Sequence, residues 1–319
     1  MRGLGIDPAS AVRVVVATHW HDDHARGLAE VVTTCTTAEF VCASALTKRE
    51  FIAMVARYEQ RNQIACSSGV REIFGVLRHL TESGRRPTFA LANRPVFRFG
   101  GAEALLVTDC VMTALSPADE QIELFWSEIA TLMPDVRQTK RRAIARGPNH
   151  VAVVIWLKVG SQLGVLLGSD LEETSNPRTG WSVIVNSDLR PQGTAGVFKV
   201  PHHGSETGHS DGVWQRMIGT KAYSILTPFA RGSVQLPTER GMRCILDRTE
   251  EAYSTSRLRS RCVTRRAQEV ERTIRETVGT LRTVEARFGH VRLRKKYEPE
   301  SEWSVELFGN ACKLRDILQ

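Results

Sequence analysis

The sequence contains no run of eighteen or more apolar residues and no Cys-x-x-Cys pair, and its first twenty residues lack the basic, apolar and small-residue order of a secretory leader. The first absence argues against a hydrophobic bilayer-crossing helix, and the last places the chain in the cytoplasm as an expectation. The missing cysteine pair argues against a zinc knuckle or a paired-thiol redox motif. Seven cysteines (Cys35, Cys42, Cys66, Cys110, Cys244, Cys262 and Cys312) are odd in number and widely scattered. That pattern fits free, mostly buried thiols better than a disulfide frame. What is present is ordinary for a globular chain: 42% hydrophobic residues over 319 positions, enough for one large or two ordinary domains with a real core.

Charge is unevenly distributed. Lys and Arg outnumber Asp and Glu by 43 to 35, and the basic residues concentrate between Arg257 and Lys296. Such a field raises the encounter rate with polyanions. Glu269, Glu271, Glu276 and Glu285 are interleaved there, so a solvated surface laced with helix-face ion pairs is the competing explanation.

The densest chemistry is the stretch Thr18-His19-Trp20-His21-Asp22-Asp23-His24, which follows the apolar residues Val14, Val15 and Val16. The apolar run predicts a buried strand that breaks into a loop, with a helix over residues 27–32. Three imidazoles and two carboxylates within six residues are costly to pack together unless a cation uses them. Residues two apart on extended chain point the same way, so His19 and His21 can grip one metal while Asp23 and His24, beyond the bend, face a second.

Two later strand ends carry the same kind of residue. Near-continuous apolar runs over 151–159 and 163–167, separated by Gly160 and Ser161, predict a buried hairpin that delivers Gly168-Ser169-Asp170. A further strand over 197–200 runs into Pro201-His202-His203-Gly204-Ser205, with Gly204 leaving room for close approach.

On these residues the chain resembles the metallo-β-lactamase fold superfamily, whose signature is a strand-end His-x-His-x-Asp-His. The His-His-Gly-Ser form is similar to one branch of it, the hydrolase domain attached to competence DNA-uptake channels, and to phosphorylcholine-esterase-like relatives. The resemblance implies an α/β fold, an αββα sandwich, with two divalent metal ions, zinc first and manganese or iron as alternatives, at the sandwich edge. It implies His19, His21, Asp23, His24, Asp170 and His202 as metal ligands, with Asp170 bridging. Asp23 would also orient the nucleophile. His203 is expected beside the metal or as the acid/base group, with the reverse order of His202 and His203 left open. Asn149, His150, Ser205 and His209 are candidate substrate or supporting residues, Ser205 because a hydroxyl there can fix an imidazole. His79 is expected at the surface or an interface of its helix, not on a metal, and His290 is expected to be structural.

Two departures accompany the resemblance. Relatives tend to carry Gly-His-Pro where this chain has Leu236-Pro237, which puts full occupancy of both metal positions in doubt. The motif also arrives at residue 19, where the family has several strands in front of it, so the sandwich is expected to be N-terminally incomplete, with an upstream segment or a partner chain completing the sheet.

Elsewhere the pattern predicts a short strand over 39–43, helices over 47–62 and 70–82 as an insertion, a strand over 89–99, a strand pair over 104–115, and a helix opened by Ser116 as cap with Pro117 in its first turn. Residues 137–147 read as a surface loop, 181–186 as a helix, 222–226 as a strand, 265–278 as an amphipathic helix, and 291–293 with 303–307 as closing strands. The expected division is a hydrolase domain over 1–256, including the insertion at 47–83, followed by an arginine-rich segment over 257–319. The expected activity is metal-dependent hydrolysis of a phosphodiester, nucleic acid or nucleotide. A small ester, thioester or lactam is the second enzymatic option, and a non-catalytic or partner-completed subunit the third.

Overall fold

The computed structural model describes residues 5–47, 68–100, 109–132, 148–160, 163–174, 176–257, 267–278, 289–296 and 301–318. The helix expected over 47–62, the loop over 137–147 and the first part of the strand pair over 104–115 lie wholly or largely outside them. The chain divides into two compact units, residues 1–202 with 207–222, and residues 203–206 with 223–319.

The first unit is a mixed α/β arrangement. After a short helix α1 (Pro8–Ala11) come β1 (Val14–Ala17), the single turn α2 (Asp22–Ala25), α3 (Leu28–Thr34) and β2 (Glu39–Ala43). Helix α4 (Ser68–Glu82) and β3 (Thr88–Ala90) follow. The three strands form a parallel sheet in the order β1-β2-β3. Parallel pairing needs a crossover after each strand, and the helical stretches supply it. Ile73, Val76 and Leu80 recur at helical spacing on α4 and are buried with Leu28 and Val32 of α3. Gly84, at φ 68°, follows the end of α4 in the left-handed conformation that glycine adopts at a helix stop.

A larger mixed sheet follows: β4 (Arg94–Phe99), β5 (Cys110–Ala114), then helix α5 (Asp119–Leu132), β6 (Ile155–Val159), β7 (Leu163–Leu167), helix α6 (Gly180–Val185), β8 (Ala195–Lys199), helix α7 (Asp211–Arg216) and the strand β9 (Ile218–Leu226), whose first half belongs here. Its neighbours run β9-β8-β7-β6-β5-β4, antiparallel from β4 to β7 and parallel between β7 and β8. Val96, Met112, Ala114 and Ile155 of this sheet share one core with Phe40, Val41 and Cys42 of the parallel sheet.

Three local expectations are corrected. The stretch 89–99 is two strands, not one: the chain turns at Asn93, in the left-handed region at φ 61°, so β3 joins the parallel sheet and β4 the mixed one. The apolar run 151–159 becomes a strand only from Ile155. Val151 ends a short 3-10 turn (Pro148–Val151), and the next three residues are buried irregular chain, tied by the Val153 amide to the Thr18 carbonyl (2.9 Å) and by Ser116 Oγ, which donates to the Ala152 carbonyl (2.6 Å) and accepts from the Val154 amide (2.8 Å). Ser116 therefore does not cap α5; Gln121 reaches back instead, its Oε1 accepting from the Ala118 amide (2.7 Å).

In the second unit, the latter half of β9 pairs in parallel with β12 (Ala252–Ser254), and β12 with β15 (Cys312–Lys313) in the antiparallel sense. Between them lie the hairpin β10 (Phe229–Arg231) and β11 (Val234–Leu236), then helix α8 (Glu239–Leu246), capped by Thr238 Oγ1 accepting from the Gly241 amide (3.0 Å). Helix α9 (Gln268–Thr277) falls within the expected 265–278. The expected closing strands instead pair with each other, β13 (Gly289–Arg294) against β14 (Ser304–Gly309). A two-pronged Arg292–Glu306 ion pair lies across that hairpin, at 2.6 and 2.7 Å. The described cysteines, Cys35, Cys42, Cys110, Cys244 and Cys312, are all free thiols. Burial pushes the Cys42 thiol up to about 12, which leaves it an inert core residue.

Candidate metal centre

The apolar strand β1 ends at Ala17, and the next seven residues wrap a tight corner that is fastened from two sides. Asp22 Oδ1 accepts from the Gly69 amide at the start of α4 (2.9 Å), while Glu72 Oε2 on α4 accepts from the Ala29 amide at the start of α3 (3.0 Å). Each carboxylate thus serves a helix N-terminus other than its own, where exposed amides and the positive dipole end favour an anion. The approach is so close that a β-carbon at Gly69 would overlap the Trp20 carbonyl oxygen, which explains glycine there. Trp20 is buried, its ring 5.3 Å from that of Phe125 on α5.

Held this way, the corner turns its imidazoles inward. His19 is 1% exposed; its Nδ1 meets Thr18 Oγ1 at 3.1 Å and its Nε2 meets His21 Nδ1 at 3.2 Å. The His19 and His24 rings lie with centroids 4.2 Å apart. Asp170, also 1% exposed, comes from the end of β7 and places Oδ2 3.1 Å from His24 Nε2 and 3.8 Å from His19 Nε2. Asp23 Oδ2 is 3.4 Å from His24 Nε2. Two groups of ligand atoms result, His19, His21 and Asp170 in one, Asp23, His24 and Asp170 in the other, each within 4.8 Å. Asp170 belongs to both.

Burial is the main reason that the His19 imidazole titrates well below its ordinary value, with the His24 ring adding to the depression and Asp170 opposing it. His21 is lowered as well, again chiefly by burial. Both rings are therefore neutral near pH 7, the form that offers a lone pair to a cation. The spacings fit a metal. Zinc bonds of about 2.05 Å at tetrahedral angles separate neighbouring ligand atoms by about 3.3 Å, close to the 3.1, 3.2 and 3.4 Å edges found here. The donors are nitrogen and oxygen without sulfur, a set that suits zinc, manganese or iron.

Asp170 has a second neighbour: Lys199, at the end of β8, brings Nζ to 3.7 Å from Oδ1 and donates to the Ser169 carbonyl (2.8 Å). Burial lowers the Lys199 ammonium from its ordinary value, and Asp170 resists that shift. The meeting of β7 and β8 depends on Gly168, whose amide donates to the Lys199 carbonyl (3.0 Å); a β-carbon there would press on that oxygen and on Pro201.

His202 does not join either ligand group. Its Nδ1 lies 2.8 Å from Glu172 Oε1 and 3.2 Å from Thr207 Oγ1, and its Nε2 3.4 Å from Asn149 Nδ2. A carboxylate can only accept, so Nδ1 carries the proton and Nε2 faces the Asn149 amide. Burial alone would raise the Glu172 carboxyl, but hydrogen bonds from His202 and Thr207 outweigh it and hold it below the usual range. Ser169, His202 and His203 all hold left-handed backbone, at φ 49°, 45° and 55°, a concentration of strain seldom kept without use.

Of the remaining expected residues, Asn149 is buried against His202, whereas His150 is exposed and lies on the wall of a cavity. His209 pairs with Asp211 (3.1 Å). In the second unit, His203 and Ser205 are buried. His203 Nδ1 donates to the Thr227 carbonyl (2.9 Å) and its ring stacks on Phe229. A neutral imidazole so held keeps its lone pair on Nε2, the tautomer of a metal ligand. His290 stacks on Phe308 in the β13–β14 hairpin, as a structural residue would, and His79 lies half-buried on α4.

Glu172, Lys199 and Asp22 are the residues that motif spacing missed. Glu172 had a faint signal, standing two positions after Asp170 on the same strand-end loop. Lys199 had none, because only the β7–β8 pairing brings it to Asp170. No helix among the described residues is long and apolar enough to cross a membrane. In comparisons with known proteins, no family model, no curated protein and no solved structure matches this chain significantly.

Proposed function

We propose that the protein is a metal-dependent hydrolase of the metallo-β-lactamase type, acting on a phosphodiester. One observation carries the proposal: two carboxylates and three imidazoles converge around the buried Asp170, which is common to both ligand groups, and two of the rings are depressed below ordinary titration. Neutral imidazoles and carboxylates packed this closely are a cation site by their chemistry. An αββα sandwich is the finer fold assignment, supported by two sheets that share one core with helices α3 and α4 packed on the parallel one.

His19, His21, Asp23, His24 and Asp170 would hold two divalent ions, and such ions supply a water acidified to near neutrality together with a counter-charge for the phosphoryl oxygens. The chain's own groups do the rest. Asp170, with Lys199 on its far oxygen, keeps the two ligand groups in register. Asp23, the most exposed ligand, orients the attacking water. Nδ1 of His202 is committed to Glu172 and Nε2 is its acceptor nitrogen beside Asn149, so His202 takes the supporting role, as a general base that would take up a proton at Nε2. His203, with its Nδ1 proton committed to Thr227, belongs to the second unit and is given no part in this centre. The phosphodiester class is supported by the formal charge of +8 and by the His-His-Gly-Ser form.

The test is metal content together with turnover of bis-p-nitrophenyl phosphate. Asp170→Asn is expected to lose bound metal and at least about 100-fold in turnover, since it removes the carboxylate common to both groups. Wild-type metal stoichiometry and turnover in that variant would sink the binuclear assignment.

A further inference from the structure

The two ligand groups that meet at Asp170 are not alike. His19, His21 and Asp170 offer two ring nitrogens and one carboxylate, whereas Asp23, His24 and Asp170 offer one ring nitrogen and two carboxylates. Their surroundings differ as well. The side chains of His19 and Asp170 are 0% and 2% exposed, so the first group is closed to solvent at both of these ligands. Those of His24 and Asp23 are 19% and 33% exposed, and Asp23 is the ligand that opens the second group to water.

Divalent ions sort by these two properties. Imidazole nitrogen suits zinc, which is satisfied by four ligands and little water, while carboxylate oxygen and water suit manganese and magnesium. Hard ions of the second kind give up their hydration reluctantly and need a position at which several waters stay bound. A dry position with two nitrogens fits the first kind of ion. A wet position with two carboxylates fits the second.

The shared carboxylate widens the difference. Asp170 Oδ2 faces His24 Nε2 (3.1 Å) and His19 Nε2 (3.8 Å), while Oδ1 lies 3.7 Å from Lys199 Nζ. Two dications drawing on one carboxylate, with an ammonium behind it, repel each other, and water screens that repulsion far better at the exposed position than a buried one could. The second ion is therefore held more weakly than the first, and the exposed position is the one that accepts it. We infer that the centre is a mixed-metal one: the inner position, at His19, His21 and Asp170, retains a zinc ion, and the outer position, at Asp23, His24 and Asp170, is an exchangeable site for a hard cation, manganese first. This rests on the metal centre of the proposed function and is independent of the substrate assigned to it.

The experiment is metal binding by the full chain, stripped with a chelator and returned to chelator-free buffer. Zinc is titrated calorimetrically to two equivalents. Manganese is then titrated into protein carrying one equivalent of zinc, with free manganese followed by its paramagnetic resonance signal. The first zinc should bind at least about 100-fold more tightly than the second. The one-zinc protein should take up one manganese, which desalting removes while the zinc stays. Asp23→Asn should weaken the manganese step at least about tenfold and leave the first zinc step within about twofold, and His21→Ala should abolish the tight zinc step. Two zinc steps of equal affinity in the wild type, no manganese uptake by the one-zinc protein, or equal weakening of both steps in Asp23→Asn overturns the mixed centre. Equal zinc steps accompanied by turnover of bis-p-nitrophenyl phosphate would discard the mixed centre and leave the hydrolase. Unequal steps as stated, with no turnover of that ester, would keep the mixed centre and discard the hydrolase. No uptake of either ion would overturn both.

Discussion

Lowering the pH from 7 to 5 should destabilise the metal-free protein through His19 and His21, before any carboxylate contributes. Both rings titrate lower in the folded chain than the ordinary 6.5, principally because they are buried. Between the two values the unfolded chain binds more protons than the folded one, so stability rises with pH there. The contribution is complete above about pH 6.5 and is lost as the pH falls towards the folded values. A ring that stayed neutral throughout would cost about 1.9 kcal/mol over this span, from an unfolded value of 6.5 and about 1.36 kcal/mol per pH unit at the steep end. The pair together is therefore bounded by about 4 kcal/mol, to be set against the 5 to 15 kcal/mol typical of a folded domain. Glu172 acts in the same direction but only below the ordinary carboxylate range, outside this window. The assay is urea unfolding in the presence of a chelator at pH 5, 6, 7 and 8, where the midpoint should fall by roughly 1 M from pH 7 to 5. A His19→Gln, His21→Gln double variant should lose most of that pH dependence whatever its baseline stability. A flat wild-type profile, or an unchanged slope in the double variant, would refute the claim that these rings are held neutral by burial.

Gly69→Ala should destabilise the chain by about 1 to 3 kcal/mol, because the added carbon overlaps the Trp20 carbonyl; an unchanged melting temperature would mean that α4 does not approach the corner so closely. Asp22→Ala removes the acceptor from the Gly69 amide and should cost about 1 kcal/mol, a few degrees in thermal denaturation, with restoration expected from Asp22→Asn. For Glu172→Gln, phosphodiester turnover should drop about 10- to 100-fold while metal content is retained, since it is His202 and not a ligand that loses its partner; equal turnover would show that His202 moves no proton in the reaction. If a polynucleotide is the substrate, its cleavage should fall steeply with salt while bis-p-nitrophenyl phosphate turnover barely changes, and two flat profiles would leave a nucleotide or small ester.

His19, His21, Asp23, His24 and Asp170 are legible in the sequence because local rules suffice for them. An apolar strand must end somewhere, and polar residues clustered at its end have no structural use unless they share a ligand. The helices α3 and α4 and the β6–β7 hairpin are legible for the same reason, since periodicity of 3.6 or 2 is written residue by residue. Only the tertiary structure decided what depends on pairing between distant segments. The break at Asn93 sends β3 and β4 to different sheets because each finds its partner there, although the stretch 89–99 looks like a single strand. Ser116 has the form of a helix cap, yet its hydroxyl serves residues 152 and 154, which lie far along the chain. Lys199 reaches Asp170 only through the β7–β8 register, and Glu172 claims His202 only because two strand-end loops meet. A sequence motif names the donors at one corner of a site; which nitrogen faces which oxygen is set by strand register and by burial, and these are properties of the packed chain.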